Sequence, residues 1–175
     1  MSFIEAMEKI IETERLYLRA FTLDDAQLLV DLNSNPEVVK YLHEQPTTFQ
    51  VAQQVLEQII LPQYALYNHG RWAVHLKTTN EFIGWSGLKY RTDRNEIDLG
   101  YRFFQEHWGK GYATETAKAS IDYGFNTLNM QHIMAMAHVE NIGSQQVILK
   151  CGMKFRQEDF VDGCPVKVYD LFKAT

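Results

Sequence analysis

The sequence has little with which to cross-link itself. Its two cysteines, Cys151 and Cys164, form no CxxC pair, and no histidines stand near them at metal-ligand spacing. No metal site is expected, and two reduced thiols in a cytoplasmic chain is the plain reading. Basic residues are also scarce. Seventeen Lys and Arg stand against 22 Asp and Glu, for a net charge of −5, with no dense basic run. That argues against nucleic acid as a partner and suits a cationic one, such as an amine. No segment reaches the roughly 18 apolar residues of a membrane span, so no membrane partner is expected. The opening "MSFIEAMEKII" mixes acidic with apolar residues, unlike a signal peptide. Repeats, linkers and low-complexity segments are missing too.

What is present is an ordinary globular mixture, 46% hydrophobic and 22% charged, over 175 residues. This suits one domain, 1–175, with a core that needs no staples. Phe3, Ile4, Met7, Ile10 and Ile11 share a helical face, so residues 1–11 read as an extra helix or as a partly ordered leader. "ERLYLRAF" (14–21) alternates as a strand does. Thr22, Asn35 and Thr48 are candidate caps for three helices, with Pro36 at the start of the second. The third carries Val51, Val55, Leu56, Ile59 and Ile60 on one face, and Pro62 is expected to bend or end it. Strands follow at 71–77, 81–90 and 95–104, a helix at 113–127, a strand at 132–139, and a helix at 141–152. Two last strands join through Asp162-Gly163. The order predicts a mixed α/β layer domain.

The stretch "HWGKGYATETAKASIDYGF" (107–125) sets two glycines just ahead of a helix. A helix N-terminus offers unpaired N–H groups, and glycines let an anion approach them. An anion cradle and a plain strand-to-helix turn with Lys110 in solvent both fit the stretch. It is not a P-loop, because Gly111-Tyr112 follows Lys110. It is not a dinucleotide fingerprint either, because Thr114 holds the third glycine position.

"IDLGYRFFQEHWGKGYATETAKASIDYGF" followed by "HVENIGSQQVILKCGMKF" resembles the acyl-CoA-binding half of the GNAT N-acetyltransferases. It is most similar to their ribosomal-protein N-terminal acetyltransferase branch. "ETERLYLRAF" and "NSNPEVVKYL" resemble that branch too, so the likeness spans about Thr13 to Phe172. It implies a twisted, mostly antiparallel sheet with helices on both faces and a splayed strand pair holding CoA. The family's pyrophosphate motif falls on Trp108, Gly111 and Ala113, with tryptophan in place of the usual Gln or Arg. Backbone N–H groups of Gly109, Lys110, Gly111, Tyr112, Ala113 and Thr114 are then expected to bind the pyrophosphate. Pantetheine is expected to pair with Tyr101, Arg102 and Phe103 and to meet Asn141. Lys150 lies near the cofactor by the same likeness, or is a solvated helix lysine.

Acetyl transfer to an amine needs a proton acceptor, an N–H donor for the oxyanion, and a proton for the departing thiolate. Glu96 and Asp98 lie two apart on one strand face, so either can meet the amine; a plain surface carboxylate pair fits equally. The family's usual tyrosine acid falls on Ile148, which leaves Ser144 as the substitute, or as an ordinary helix-start serine. His75 and His138 are candidate relays or structural histidines. Trp72, Trp85 and Tyr90 line the acceptor pocket or belong to the core. The expectation is an acetyl-CoA-dependent N-acetyltransferase, with a protein N-terminus, such as that of a ribosomal protein, as the acceptor. The alternatives are a small-molecule amine acceptor and a non-catalytic acyl-CoA-binding module. A homodimer or higher homo-oligomer is the expected assembly.

Overall fold

The computed structural model describes residues 8–42 and 47–175. Its frame is one sheet of eight strands: β1 (Lys9–Glu12), β2 (Leu16–Ala20), β3 (Arg71–Leu76), β4 (Phe82–Arg91), β5 (Glu96–Phe103), β6 (His132–His138), β7 (Lys154–Val161) and β8 (Cys164–Phe172). The spatial order is β1-β2-β3-β4-β5-β6-β8-β7. Every neighbouring pair is antiparallel except β5–β6, which is parallel. The Asp162-Gly163 turn has φ of 52° and 79°, the left-handed pair that a tight β7–β8 hairpin demands.

Alternation places the core. Leu16 and Leu18 of β2 are fully buried with Trp72, Val74 and Ile83. The segment expected to continue a helix through Ile10 and Ile11 is instead the edge strand β1, antiparallel to β2, with Ile11 in this cluster. Two adjacent β-branched residues pack more readily on a pleated surface than in a helix, and β2 offers a free edge. Phe3, Ile4 and Met7 lie outside the described residues.

Helices α1 (Ala26–Asn33), α2 (Pro36–Val39), α3 (Phe49–Val55) and α4 (Leu61–Tyr67) follow β2 in sequence. Thr22 opens the first helical turn with a capping box: its hydroxyl accepts from Asp24 N, and Asp25 accepts from Thr22 N. Asn35 and Thr48 cap α2 and α3 with one bond each, accepting from Glu37 N and Val51 N. Pro62 does not end the third helix. A π-helical turn, Leu56–Ile60, links α3 to α4, with Leu61 N bonded to Leu56 O. Pro62 then falls at the start of α4, where its missing N–H costs little. Ala52, Leu56 and Ile60 are buried, whereas Val51 and Ile59, expected on the same face, are about half exposed.

Helices α5 (Tyr112–Asp122, extended by a π turn through Thr127) and α6 (Ile142–Lys150) pack with Leu88, Leu99, Ile133 and Ala135. The first helices pack instead with Phe21, Ala73, Phe82 and Trp85. Helices therefore cover both faces of the sheet. Along β5, Leu99, Tyr101 and Phe103 belong to the α5–α6 side, while Asp98, Gly100 and Arg102 turn to the other face.

Candidate active site

The parallel pairing of β5 with β6 consists of two steps, Asp98↔Met134 and Leu99↔Ala135. Beyond it, Gly100 to Phe103 still pair with β4, and Met136 to His138 still pair with β8. Nothing pairs the two segments with each other, so the strands fork. Gln145, buried in α6, fixes one arm: its amide donates to the His138 and Val139 carbonyls, 3.0 Å each. The fork opens into a cleft of about 1330 Å³ that reaches from the Gly111 loop to α1–α3.

At one end lies the glycine loop. Gly109 and Gly111 have φ of 73° and 81°, the left-handed region that L side chains disfavour. An added Cβ at Gly109 would meet nothing within 4 Å, so the need there is for backbone direction, not for space. Gly111 is the N-cap of α5 and supplies no side-chain cap, so the first N–H groups of that helix, at the cleft's lining, have no partner among the described residues. Successive N–H groups in such a turn form an anion-binding concavity. The loop is tied down from outside. Arg15 donates to the Lys110 carbonyl at 2.8 Å and pairs with Glu115 at 2.8 Å, and Thr13 bonds the same carboxylate. These bonds hold Glu115 below the usual carboxylate range, against the opposing effect of burial. The Trp108 indole N–H bonds the Phe103 carbonyl at 2.9 Å, joining loop to fork.

Most residues singled out from sequence line this cleft. Tyr101, Arg102 and Phe103 form its β5 arm, and Trp108, Gly109, Gly111, Tyr112, Ala113 and Thr114 form the loop end. Asn141, Ser144 and Lys150 line it from α6, and Asp98 from the fork's apex. Lys110 is not among the lining residues; its carbonyl serves Arg15. Asn141 spends its side-chain oxygen capping α6, accepting from Ser144 N at 3.1 Å, which leaves its amide hydrogens for a ligand. Ile148 is buried core.

Glu96 and Asp98 do not share a site. Asp98 is buried, its Oδ2 2.9 Å from Arg71, and Arg71 also donates to the Asp98 and Gly87 carbonyls. Glu96 is held by Arg94 at 3.1 Å and Arg156 at 2.7 Å, outside the cleft lining. Glu96, His132 and Asp170 approach one another as metal ligands might, but Arg156 also lies 3.3 Å from Asp170, so a cation already sits between the two carboxylates. The sequence places Glu96 and Asp98 on one strand face; Arg71 of β3 and Arg156 of β7, far along the chain, separate their roles, with Arg94 of the β4–β5 turn adding to the hold on Glu96.

Three side-chain contacts escaped the sequence reading, although it named the residues that make them. The Tyr101 hydroxyl lies 3.0 Å from both the hydroxyl and the carbonyl oxygen of Ser144. Burial raises its pKa well above the usual phenol, so it stays protonated. Trp85 is a cleft wall between two guanidinium groups, Arg71 at 5.2 Å and Arg102 at 5.4 Å. Arg102 in turn bonds Asn33 of α1 at 2.6 Å. Of the other aromatic candidates, Trp72 is core, and Tyr90 lines only a neighbouring pocket. His75 is structural, bonded to Arg19 and Asn80; His138 lines the cleft.

The description "Acetyltransferase (GNAT) domain" matches residues 15–154, which include both the fork and the loop. The chain belongs to the GNAT acetyltransferase family. It is 36% identical over 137 residues to the uncharacterized N-acetyltransferase p20 of Bacillus licheniformis, covering 78% of this chain and 77% of the relative. It is 30% identical over 178 residues to the uncharacterized N-acetyltransferase YoaA of Bacillus subtilis, covering 95% and 98%. The solved structure of RimL, a ribosomal alpha-N-protein acetyltransferase in complex with coenzyme A, shares the fold at TM-score 0.78 and 15% identity, over 94% of this chain and 98% of that one. The expected twisted, mostly antiparallel sheet with helices is thus the fold of this family. GNAT enzymes use acetyl-CoA as donor, and this chain is an N-acetyltransferase. Among the described residues, no helix is long and apolar enough to cross a membrane.

Proposed function

We propose that this GNAT enzyme transfers the acetyl group of acetyl-CoA directly to the N-terminal amine of a protein, such as a ribosomal protein. The observation that carries the reading is the forked β5–β6 pair, which joins the glycine loop on the α5 side to an open cleft under α1–α3. The N–H groups of 109–114 receive the pyrophosphate, and the unpaired β5 edge at Tyr101 to Phe103 receives the pantetheine arm as an added strand. An N–H of the same edge serves the developing oxyanion. Ser144, oriented by Tyr101, passes a proton to the departing sulfur and takes one back from water in the cleft, so that it ends the reaction as the neutral hydroxyl. Asp98, anchored by Arg71 at the apex, holds the incoming amine, and its proton leaves to water in the cleft. Glu96 takes no part. Nothing covalent forms on the enzyme, and neither cysteine is needed.

The cleft remains open beyond the apex toward α3, which suits an acceptor that continues as a chain. Thiol release from acetyl-CoA, followed with short peptides bearing free or blocked N-termini, tests the reading. Free peptides should release thiol and blocked ones should not. Thiol release with small amines but with no peptide would reject the protein acceptor. No release with any amine would reject transfer altogether.

A further inference from the structure

Beyond the fork's apex, the acceptor end of the cleft holds a corner of basic groups. Lys89 stands directly opposite Asp98 in the β4–β5 register, and Arg91 lies two residues along β4 on the same face. Both line the cleft, and both also line a second pocket of about 280 Å³ between α4 and the β4–β5 turn. Ile59 is the third residue shared by the two spaces, so this corner is where they meet.

The corner's charges are unevenly answered. Asp98 is taken by Arg71 at 2.9 Å, and Arg91 is shared by Asp162 at 3.0 Å and Asp93 at 3.4 Å. The Lys89 ammonium makes no ion pair or hydrogen bond among the described residues. Burial and the charges of Arg71 and Arg91 pull its pKa below the usual value, against the smaller opposing pull of Asp98 and Asp162. The Arg91 Nε–H is buried with no acceptor among the described residues. Lys89 is thus a cleft-lining ammonium without an acceptor among the described residues, beside the apex. An arriving anion would supply what Lys89 lacks, whereas a second ammonium would meet repulsion there.

We infer that the Lys89–Arg91 corner is an anion subsite, and that the amine acetylated here belongs to a molecule carrying a carboxylate. This rests on the transfer reading given above. The carboxylate can come from an acidic residue next to a peptide N-terminus or from a small amino acid. A polyamine is the acceptor class that the corner disfavours.

Matched acceptors test it. One arm compares 4-aminobutyrate, butylamine and 1,4-diaminobutane. The other compares hexapeptides with glutamate or lysine at the second position. Wild-type protein should prefer the carboxylate member in kcat/KM by at least about tenfold in whichever arm is turned over. Lys89→Met should abolish that preference, and Lys89→Arg should keep most of it. Acetyl-CoA affinity, measured alongside, should be unchanged in both variants. Equal or better turnover of the cationic members overturns the subsite and leaves the transfer reading standing. So does a preference that survives Lys89→Met. Loss in Lys89→Arg as well would make Lys89 a proton acceptor and likewise overturn the subsite. If no amine releases thiol, transfer itself fails. Calorimetric binding of 4-aminobutyrate against butylamine, in wild type and Lys89→Met, then decides the subsite alone.

Discussion

The phenol of Tyr101 and the hydroxyl of Ser144 are 3.0 Å apart, and the phenol is as close to the Ser144 carbonyl. One strand and one helix meet through this pair, across the fork that the cleft follows. While the phenol donates to the carbonyl, the serine proton is free to point into the cleft. The pair stands near Ile148, the position at which the sequence resemblance leads one to expect a tyrosine acid.

Ser144→Ala should therefore lower kcat by more than about tenfold while leaving acetyl-CoA affinity nearly intact. Tyr101→Phe should lower kcat by less, because solvent can still orient the serine. The double variant should be no worse than Ser144→Ala, the non-additivity of groups acting as one unit. Values of kcat within about threefold of wild type for Ser144→Ala would remove the pair from the chemical step.

The glycine loop makes a separate claim about the donor. Gly111→Ala adds strain at φ 81°, and Gly111→Asp adds the same strain plus a negative charge beside the helix N-terminus. CoA affinity should fall in both and should be lost with aspartate. Thermal melting of the two variants should be similar, since the strain is common to both. Near-normal CoA binding by a folded Gly111→Asp variant would reject the loop as the pyrophosphate site.

Legibility in the sequence follows the range of the interaction. The caps at Thr22, Asn35 and Thr48 and the glycine pair act within a few residues, so residue type at a given spacing reveals them. Asp98 looked like a free carboxylate because Arg71, its partner, is 27 positions away. Tyr101 and Ser144 are 43 apart, and no local pattern couples them. That Pro62 does not end the helix has another cause. A proline forbids one hydrogen bond, and the π turn before it removes the need for that bond.

A third test concerns the buried ion pair under the first helix. Arg19 grips Asp25 through two bonds, 2.8 and 3.0 Å, and both side chains are over nine-tenths buried. Asp25 also closes the capping box on Thr22 N. Asp25→Ala leaves a buried guanidinium without its anion and an N–H without its cap. Unfolding free energy should drop by about 3–5 kcal/mol, read from urea denaturation. A loss under about 1 kcal/mol would mean that solvent reaches Arg19.

The last test uses pH, and the sign follows from His75. Its Nδ1 faces the Asn80 carbonyl at 2.9 Å and so carries the proton, while Nε2 accepts from the Arg19 Nε at 3.1 Å. A second proton has no place, because Nε2 would then oppose a guanidinium. Burial is the main cause lowering the His75 pKa; the Asn80 carbonyl and Asp25 oppose this, and Arg19 adds to it. His69, bonded to the Leu88 carbonyl, is lowered by burial as well. In the unfolded chain both histidines take up protons near pH 6.5. Their contribution to stability is therefore present above that pH and declines as pH falls toward the lowered folded values. The slope reaches at most about 1.4 kcal/mol per pH unit for each histidine. Glu96 and Glu115, whose pKa values are lowered against the pull of burial by their hydrogen bonds (Arg156 and Arg94 on Glu96, Thr13 and Arg15 on Glu115), act in the same direction but only below about pH 4.3. Melting between pH 7 and pH 5 isolates the histidines. The melting temperature should fall across that range in wild type. His75→Gln should start lower at pH 7, having lost its ring contacts with Tyr17 and Phe82, but fall less steeply. An unchanged slope in His75→Gln would mean that His75 accepts a proton in the fold after all, and that Arg19 moves to allow it.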